Sequence, residues 1–497
     1  MTVENKTVSP FVNNIMWKMI DLISRKVFGF VISILLARLL LPEAYGTIAL
    51  TIVFIAFTNI FILNGFNVAL IRKEKIEPID YSTVMVMSLV FVAFINIIVY
   101  FSAPAIAVFY ESEDLCPVLR VMVFGLFFSA VSAVVSAKAT RELKFKQMAI
   151  PSFCSNALGG IVAVVMAYMG FGVWALVFQT IIASLVLMIW YIVIFHFPLS
   201  LRFSTSVVKE LYRFTLGVIG TSFLEFVGNH ACSLVVGKTY GSKGLGYYDR
   251  SIVFPEMISA NLSGAISNVL LPTLSQHQDD LNVVKEKTRK TMSFTMFIIL
   301  PVMFGLIGCS SVFVPVLLTE RWMPIIPMLC LFCVLYAILP IRTIEYSVLF
   351  ALGKSKYSAQ SEFLRAVLMV IGVLFVALIC RAALVWVVFA NTFVSLIVSI
   401  YIHCFVRKII NYSFTELLKD ILPTLLISLF MTVVVAFVGS QFEATWLLLL
   451  TQVIIGFVLF VVPSFLFKTK NAQYMTGILH QYVSKYKKGN EENINHI

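Results

Sequence analysis

Long apolar runs separated by short polar connections dominate the chain. A helix of about 20 residues, at 1.5 Å per residue, crosses a hydrocarbon core of about 30 Å. Runs of roughly this length lie at 18–40, 44–66, 82–103, 116–137, 149–169, 173–196, 213–236, 245–271, 291–314, 322–345, 361–380, 384–406, 420–439 and 446–467. The pattern predicts an all-α, polytopic membrane protein with about 14 transmembrane helices.

Composition supports this class. The chain is 60% hydrophobic and only 12% charged, whereas soluble domains carry about 25% charged residues. The net charge of +12 comes from short basic clusters between apolar runs and not from a basic domain, so we expect the lipid bilayer as a partner and no nucleic acid.

The cysteines give no sign of a metal or redox site. Cys330 and Cys333 form a C-x-x-C spacing, but it lies inside a predicted span with no second pair or histidine nearby. Apolar packing is therefore the better interpretation. We expect no metal, no catalytic residue and no cofactor, and leave open a coupling proton or sodium ion.

The number of lysines and arginines alternates between high and low from one loop to the next. One set of loops, with the C-terminal tail, holds Arg72, Lys73, Lys75, Lys138, Arg141, Lys144, Lys146, Arg202, Lys209, Arg213, Lys285, Lys287, Arg289, Lys290, Lys354, Lys356, Arg407, Lys408, Lys419, Lys468, Lys470, Lys485, Lys487 and Lys488. The other set holds Lys238, Lys243, Arg250, Arg321 and Arg381. The positive-inside rule then predicts cytoplasmic termini and an even number of spans.

An internal repeat divides the chain. Residues 37–46 (ARLLLPEAYG) recur in type at 237–246 (GKTYGSKGLG), residues 144–146 (KFK) at 354–356 (KSK), and residues 173–180 (VWALVFQT) at 385–392 (VWVVFANT). Each pair occupies equivalent places in two sets of six spans. Such repeats are typical of transporters that bind substrate between two halves and expose it alternately to either side.

The repeat predicts four regions. Residues 1–197 form an N-terminal six-helix lobe and residues 198–410 form a C-terminal six-helix lobe, related by pseudo-symmetry. Residues 411–467 form two extra C-terminal helices, and residues 468–497 form a cytoplasmic basic tail. A basic tail of this kind can lie along anionic lipid headgroups.

Several short segments carry a family resemblance. They are 36–46 (LARLLLPEAYG), 141–146 (RELKFK), 244–250 (GLGYYDR), 271–275 (LPTLS), 319–322 (TERW) and 351–354 (ALGK). With them, the chain resembles the lipid-linked polysaccharide flippases of the multidrug/oligosaccharidyl-lipid/polysaccharide exporter superfamily, most closely the colanic-acid and O-antigen translocases.

The resemblance implies two helical lobes around a central cavity. It also implies a substrate, an undecaprenyl-pyrophosphate-linked glycan repeat unit, moved from the cytoplasmic to the periplasmic leaflet of the bacterial inner membrane. The product would feed exopolysaccharide, capsule or O-antigen assembly, with polysaccharide polymerase machinery as a further expected partner.

The first predicted span carries unusual charge. A charge inside a span costs about 2.5–3.5 kcal/mol on insertion scales unless it faces protein or water. Lys18, Asp21 and Arg25 share one helical face, followed by Lys26. We expect Arg25 first, and then Lys18 and Lys26, to bind the phosphates of the substrate. Asp21 either neutralises this face or takes part in gating.

Charges in later spans suggest coupling or gating. Glu225 lies 200 residues after Arg25, and a buried carboxyl there could bind a coupling proton. Glu256 lies within the eighth span. Arg342 and Glu345, three residues apart, predict an ion pair that bridges structure or lines the cavity. Arg250, beside Asp249 near the outer rim, is a further candidate for substrate contact.

Three other functions stay open. A multidrug/cation antiporter of the same superfamily would favour intramembrane carboxylates over a basic first helix. A peptidoglycan-precursor flippase shares the plan of about 14 spans. A membrane polysaccharide polymerase or ligase would need a sizeable outside loop with clustered polar residues, and the outside loops are short. No G-x-x-x-x-G-K-[ST] nucleotide site is present. We therefore expect a transporter and not an enzyme.

Overall fold

The protein is described by a computed structural model that covers residues 10–198, 202–380 and 382–466. Within its helices, the side chains at 10–23, 64, 213, 214, 221, 224, 225, 378 and 379 lie outside the described part. The predicted basic tail at 468–497 lies outside it as well.

The described chain consists of helices and short connections and contains no strand, so the all-α prediction is confirmed. Its helices are α1 Pro10–Leu39, α2 Pro42–Asn59, α3 Val68–Arg72, α4 Pro78–Tyr110, α5 Leu115–Phe124, α6 Leu126–Arg141, α7 Phe145–Tyr168, α8 Val173–Ile194, α9 Thr205–Ser275, α10 Leu281–Leu317, α11 Ile326–Ala351, α12 Ser355–Leu374, α13 Leu384–Ile410, α14 Phe414–Ser440 and α15 Trp446–Leu466.

Twelve helical segments of the described chain are long and apolar enough to cross a membrane. The second predicted span is one such segment, Pro42–Arg72, in which a π-helical stretch, Ile60–Asn67, joins α2 to α3. The charged helix α1 has 30 residues, which is also sufficient for a crossing. The chain is therefore a multi-pass membrane protein.

The long helix α9 contains the seventh and eighth predicted spans. Its 71 residues are interrupted at Gly241, where φ is 68° and ψ is −178°. A positive φ is accessible to glycine at little cost because it has no Cβ atom. The break lies inside the repeated segment 237–246, between the two predicted spans. With α1, it accounts for the difference between the twelve segments and the predicted count of about 14.

The chain separates into two compact units. The first contains residues up to Asp249 together with Ala377–Leu384, and the second contains Arg250–Val376 with the residues from Val385 onward. The part of α9 before Arg250 thus belongs to the first unit, although the repeat places it at the start of the second copy. The predicted lobe boundaries stay predictions.

Small residues hold α1 in the first unit. Ala149, Ser152, Ser155, Gly159, Gly160, Ala163 and Ala167 form the buried face of α7. A Cβ atom at Gly160 would lie 2.9 Å from Cγ1 of Ile32 on α1, and one at Gly159 would lie 2.6 Å from the Gln179 carbonyl oxygen on α8. Helices in lipid associate mainly through such close packing. The sequence of α7 therefore fixes the position of the charged first helix.

Candidate functional site

The charges of α1 lie away from its exposed apolar stripe. Val27, Val31 and Leu35 are exposed at a spacing of four residues, which marks one helical face. Arg25 and Lys26 are half-buried, and Arg25 lies about 200° around the helix from Val27 at 100° per residue. Lys18 and Asp21 belong to α1, but their side chains lie outside the described residues. The predicted phosphate-binding and gating roles of these four residues stay predictions.

The candidates on α9 have different surroundings. Arg250, which was expected at an outer rim, is only 4% exposed, and its guanidinium carbon lies 5.9 Å from the ring centroid of the buried Trp322. Glu256 is exposed. The side chain of Glu225 lies outside the described residues. Substrate binding by Arg250 and coupling by Glu225 or Glu256 stay untested predictions.

An intramembrane cluster joins α11 and α12 in the second unit. Nε of Arg365 donates to Oε2 of Glu362 at 2.7 Å, and Nε of Arg342 lies 3.7 Å from Oε1. The Tyr346 hydroxyl donates to Oε1 at 2.8 Å. Two guanidinium groups thus share one carboxylate. We call Arg342, Tyr346, Glu362 and Arg365 the Arg342 cluster, and its side chains carry one surplus positive charge.

The Arg342 cluster lies deep within its helices. Arg342 is nine residues from the end of α11, and Arg365 is ten residues from the start of α12. At 1.5 Å per residue, both lie about 15 Å from the connection between these helices, which is about half of the hydrocarbon core. Ionisable residues at this depth are costly and typically serve a function.

The surplus charge is incompletely solvated by the protein. Arg342 and Arg365 have side chains that are 12% and 13% exposed. Nη1 of Arg342 is buried and has no hydrogen-bond partner among the described residues. Leaving a buried charged donor unsatisfied costs more than leaving a neutral one.

Arg342 and Glu345 do not form the ion pair that their spacing predicted. Nδ1 of His403 on α13 lies 2.7 Å from Oε1 of Glu345, and both side chains are almost fully buried. The prediction of their pairing was wrong because α12 and α13 provide better-placed partners. Oε2 of Glu345 and Nε2 of His403 have no hydrogen-bond partner in the described chain.

The aqueous end of the second unit is joined by ion pairs. Arg289 on α10 donates from Nε and Nη2 to the two carboxylate oxygens of Asp420 on α14, at 2.8 Å each. Lys285 pairs with Glu416 at 2.9 Å, and the Tyr412 hydroxyl donates to Asp420 at 2.9 Å. Bidentate arginine–carboxylate pairs have strong directional preference. These contacts attach the C-terminal helix pair to the second unit.

The two copies of the repeated corner contact each other within the first unit. A Cβ atom at Gly46 would lie 1.7 Å from the carbonyl oxygen of Ser242, so only glycine fits. Lys243 lies 3.6 Å from Glu43, and Lys238 lies 2.9 Å from Glu111. We call residues 37–46 and 237–246 the corner contact. It ties α9 to α2 and to the loop after α4.

Sequence reasoning missed several of these residues. Glu362 and Arg365 lie three residues apart in the span predicted at 361–380, so the reasoning applied to Arg342 could have identified them. His403 gave no comparable signal, because it is 58 residues from Glu345 and isolated in an apolar span.

Similarity to known proteins agrees with the fold. The family model described as "Polysaccharide biosynthesis protein" matches residues 35–327. The chain is 24% identical to the succinoglycan biosynthesis transport protein ExoT of Rhizobium meliloti (strain 1021) over 65% of its length and 64% of that protein. It is 23% identical to the lipopolysaccharide biosynthesis protein WzxC of Escherichia coli (strain K12) over 67% of its length and 68% of that protein.

Two solved structures show the same fold. The lipid II flippase MurJ, in an inward closed conformation, aligns with a TM-score of 0.73 at 16% identity and covers 91% of this chain and 98% of its own. An inward-facing multidrug resistance transporter of the MATE family aligns with a TM-score of 0.60 at 16% identity, covering 78% of this chain and 94% of its own. The resemblance inferred from the short motifs is confirmed. Because the family match extends over more than half of a helical, multi-pass chain, this protein belongs to the polysaccharide biosynthesis protein family.

Proposed function

We propose that the protein is a flippase for undecaprenyl-pyrophosphate-linked oligosaccharide repeat units. It moves them from the cytoplasmic to the periplasmic leaflet of the bacterial inner membrane for exopolysaccharide, capsule or O-antigen assembly. The observation that carries this proposal is the surplus positive charge of the Arg342 cluster, about halfway along its spans. A fold shared with a lipid flippase and a relative named as a succinoglycan biosynthesis transport protein support it.

The Arg342 cluster has suitable chemistry for a pyrophosphate. Guanidinium groups bind phosphate oxygens through paired, charge-assisted hydrogen bonds. The contact of Arg342 with Glu362 is long, at 3.7 Å, whereas that of Arg365 is short, at 2.7 Å. Nη1 of Arg342 is buried in this structure, so a phosphate would bind it when the helices around it separate, while Arg365 keeps its carboxylate. Arg25, Lys18, Lys26 and Arg250 remain proposed further contacts.

Alternating access requires a contact that opens and closes. The corner contact connects residues of the two repeat copies and is bracketed by two exposed ion pairs, Lys243–Glu43 and Lys238–Glu111. Exposed ion pairs contribute little to stability, so they can break at small cost. The corner contact thus closes one side of the transport pathway and separates when the substrate leaves.

The Glu345–His403 pair provides a site for a coupling proton. Nδ1 of His403 and Oε1 of Glu345 lie 2.7 Å apart, a hydrogen-bonding distance, and a gain or loss of charge there would be poorly compensated in an apolar surrounding. Proton binding would therefore favour one packing of α11 against α13 over another. We propose a proton and not sodium as the coupling ion, because hard metal cations are bound by several oxygen ligands. The pair itself provides one carboxylate and one imidazole.

The chain is placed in the membrane with both termini in the cytoplasm. The distribution of lysine and arginine supports this orientation. It puts Lys354 and Lys356 on the cytoplasmic side and the corner contact on the periplasmic side. Polysaccharide polymerase machinery would then meet the product where the corner contact opens.

A deletion strain tests the proposal. Cells without the gene should accumulate undecaprenyl-pyrophosphate-linked repeat units on the cytoplasmic side, and the wild-type gene should reverse this. R342Q should fail to reverse it, whereas Arg407→Gln, which removes an exposed charge at the end of α13, should succeed. Unchanged surface polysaccharide with altered drug tolerance would contradict the proposal and favour an antiporter.

A further inference from the structure

The first unit contains a groove between α4 and α5. It has a volume of about 520 Å³, and Ile97, Tyr100, Phe101, Arg120 and Phe124 contribute to its lining. Ligand pockets have volumes of about 300–1,000 Å³. Arg120 is the single charged residue among those that line this groove.

The groove opens on a surface suited to lipid. Val90, Phe94, Ile97 and Phe101 are exposed on α4 at spacings of four, three and four residues, so they form one continuous helical face. Phe101 is 77% exposed. In a multi-pass membrane protein, such an apolar face contacts lipid.

The groove lies near the edge of the hydrocarbon core. Tyr100 lies three residues before the end of the third predicted span, 82–103, which places it toward that end of the crossing. Arg120 lies five residues after the start of α5 at Leu115, and a polar loop with Glu111, Glu113 and Asp114 precedes it. Tyrosine is enriched at this depth, where headgroups begin.

Arg120 is oriented by Tyr100. Its Nε donates to the Tyr100 carbonyl oxygen at 3.1 Å, and its guanidinium carbon lies 4.2 Å from the ring centroid. Among the described residues, no carboxylate forms an ion pair with it. Asn96 cannot act as the donor for a ligand, because its amide already donates to the Val92 and Val123 carbonyl oxygens. The terminal nitrogens of Arg120 are thus available to an anion.

We propose that this groove binds an anionic glycerophospholipid, with its phosphate on Arg120 and an acyl chain along the apolar surface at Ile97 and Phe101. The position of the groove and the chemistry of its lining together favour a lipid. A cation at headgroup depth beside an exposed apolar groove matches both parts of such a molecule. Tyr100 is a positioning residue that holds the guanidinium at the entrance. The proposal is independent of the transported substrate.

Lipid titration of the purified full chain tests this site. Phosphatidylglycerol is added to protein in detergent, and bound lipid is counted by native mass spectrometry. R120Q should lower the apparent affinity about fivefold, since one basic group near a membrane surface contributes about this factor. R120K should retain most of it. Lys408→Gln, which removes an exposed charge from α13, should match the wild type.

Three comparison ligands identify the source of the anion. Phosphatidylcholine and inorganic phosphate should bind at least fivefold more weakly than phosphatidylglycerol, because one lacks net charge and the other lacks acyl chains. Undecaprenyl pyrophosphate that outcompetes phosphatidylglycerol in the wild type, but not in R120Q, would overturn the phospholipid assignment. Equal affinities of R120Q and wild type for phosphatidylglycerol would overturn the site itself.

A second variant keeps the test decisive if R120Q does not fold. Tyr100→Leu retains the charge and removes the ring that orients it, and should also weaken phosphatidylglycerol binding. Thermal unfolding in lipid-free detergent confirms that each variant is folded before titration. Wild-type affinity in Tyr100→Leu would contradict the positioning role.

Discussion

Gly46 and Gly246, the closing residues of the two repeated corners, each pack against the backbone of the other corner. A Cβ atom at Gly46 would lie 1.7 Å from the Ser242 carbonyl oxygen, and one at Gly246 would lie 1.9 Å from the Pro42 carbonyl oxygen. The contact is reciprocal, as expected when two copies of a motif meet about a pseudo-twofold axis. It explains physically why both copies end in glycine.

Replacement of either glycine should therefore destabilise the closed corner. Gly46→Ala or Gly246→Ala would force backbone atoms apart, and overpacking of this kind costs about 1–3 kcal/mol. Thermal unfolding of the purified protein should show a lower midpoint. Gly264→Ala is a matched control, because a Cβ atom there would meet nothing within 4 Å. Equal midpoints for Gly46→Ala and Gly264→Ala would contradict the close packing.

Cross-linking of the same contact should stop transport. The charged atoms of Glu43 and Lys243 lie 3.6 Å apart, and both side chains are exposed. Cysteines at these positions can therefore be joined by a short, cleavable reagent that reacts with two thiols. In a chain whose exposed Cys380 and Cys404 are replaced, the double variant should lose transport when joined. Activity should return when the reagent is cleaved. Full transport by the cross-linked protein would contradict the opening of this contact.

Replacement of a cation and replacement of the carboxylate in the Arg342 cluster should have different effects. R342Q removes the group proposed to bind phosphate, and loss of a charge-assisted hydrogen bond worth about 1.5–3 kcal/mol should lower transport about tenfold or more. Glu362→Gln leaves both guanidinium groups in place but removes their shared carboxylate. It should lower the unfolding midpoint, because the largely buried Arg342 and Arg365 then lose the negative charge that faces them, although Glu362 itself is 39% exposed. Equal affinity of R342Q and wild type for undecaprenyl pyrophosphate would exclude the phosphate role.

The Glu345–His403 pair should control the response to a pH gradient. The amide of Glu345→Gln can keep a hydrogen bond to His403, but unlike a carboxyl group it cannot bind or release a proton. Transport should therefore become insensitive to an imposed pH gradient. Vesicle transport measured with and without a gradient gives the comparison. Glu256→Gln, which alters an exposed carboxylate on α9, should stay sensitive. An insensitive Glu256→Gln with a sensitive Glu345→Gln would move the coupling site to α9.

Lys73 should stabilise the first unit up to high pH. Burial lowers the pKa of its ammonium group, but hydrogen bonds to Asp80 and Glu210, at 2.8 Å each, outweigh this and raise it. A raised folded-state pKa means that the stabilisation is complete below the ordinary pKa of 10.5 and is lost as the pH rises beyond the folded value. Lys73→Gln should thus lower the unfolding midpoint at pH 8. It should have less effect at a pH above the folded-state pKa of Lys73, where the wild-type lysine is also uncharged. The exposed Lys75→Gln should have little effect at either pH.

Much of the fold could be predicted because hydrocarbon imposes a length on every span. Apolar runs therefore marked the helices, and α2 begins at Pro42, two residues before the span predicted at 44–66, since proline suits a first helical turn. Gly241 was not recognised as the break within one long α9. A glycine-rich segment fits either a loop or a kinked helix, and sequence alone does not distinguish them.

The candidate site was harder to predict from sequence, because it depends on contacts between helices that are far apart along the chain. The spacing of Arg342 and Glu345 suggested a pair, yet Glu362 and His403 are their partners. Helical spacing shows which residues could meet on one helix, but only packing decides which do. In the same way, sequence gave no sign that Arg250 is buried beside Trp322.

Translocation of the lipid-linked glycan by the purified protein is the direct test of flippase activity. The wild type and R342Q are reconstituted in liposomes with a fluorescent undecaprenyl-pyrophosphate oligosaccharide, and a membrane-impermeant quencher reports the leaflet that the glycan occupies. Wild-type protein should speed the movement of the glycan between leaflets far above the rate in protein-free liposomes, and R342Q should largely abolish this increase. Wild-type liposomes with the same rate as protein-free liposomes would contradict flippase activity.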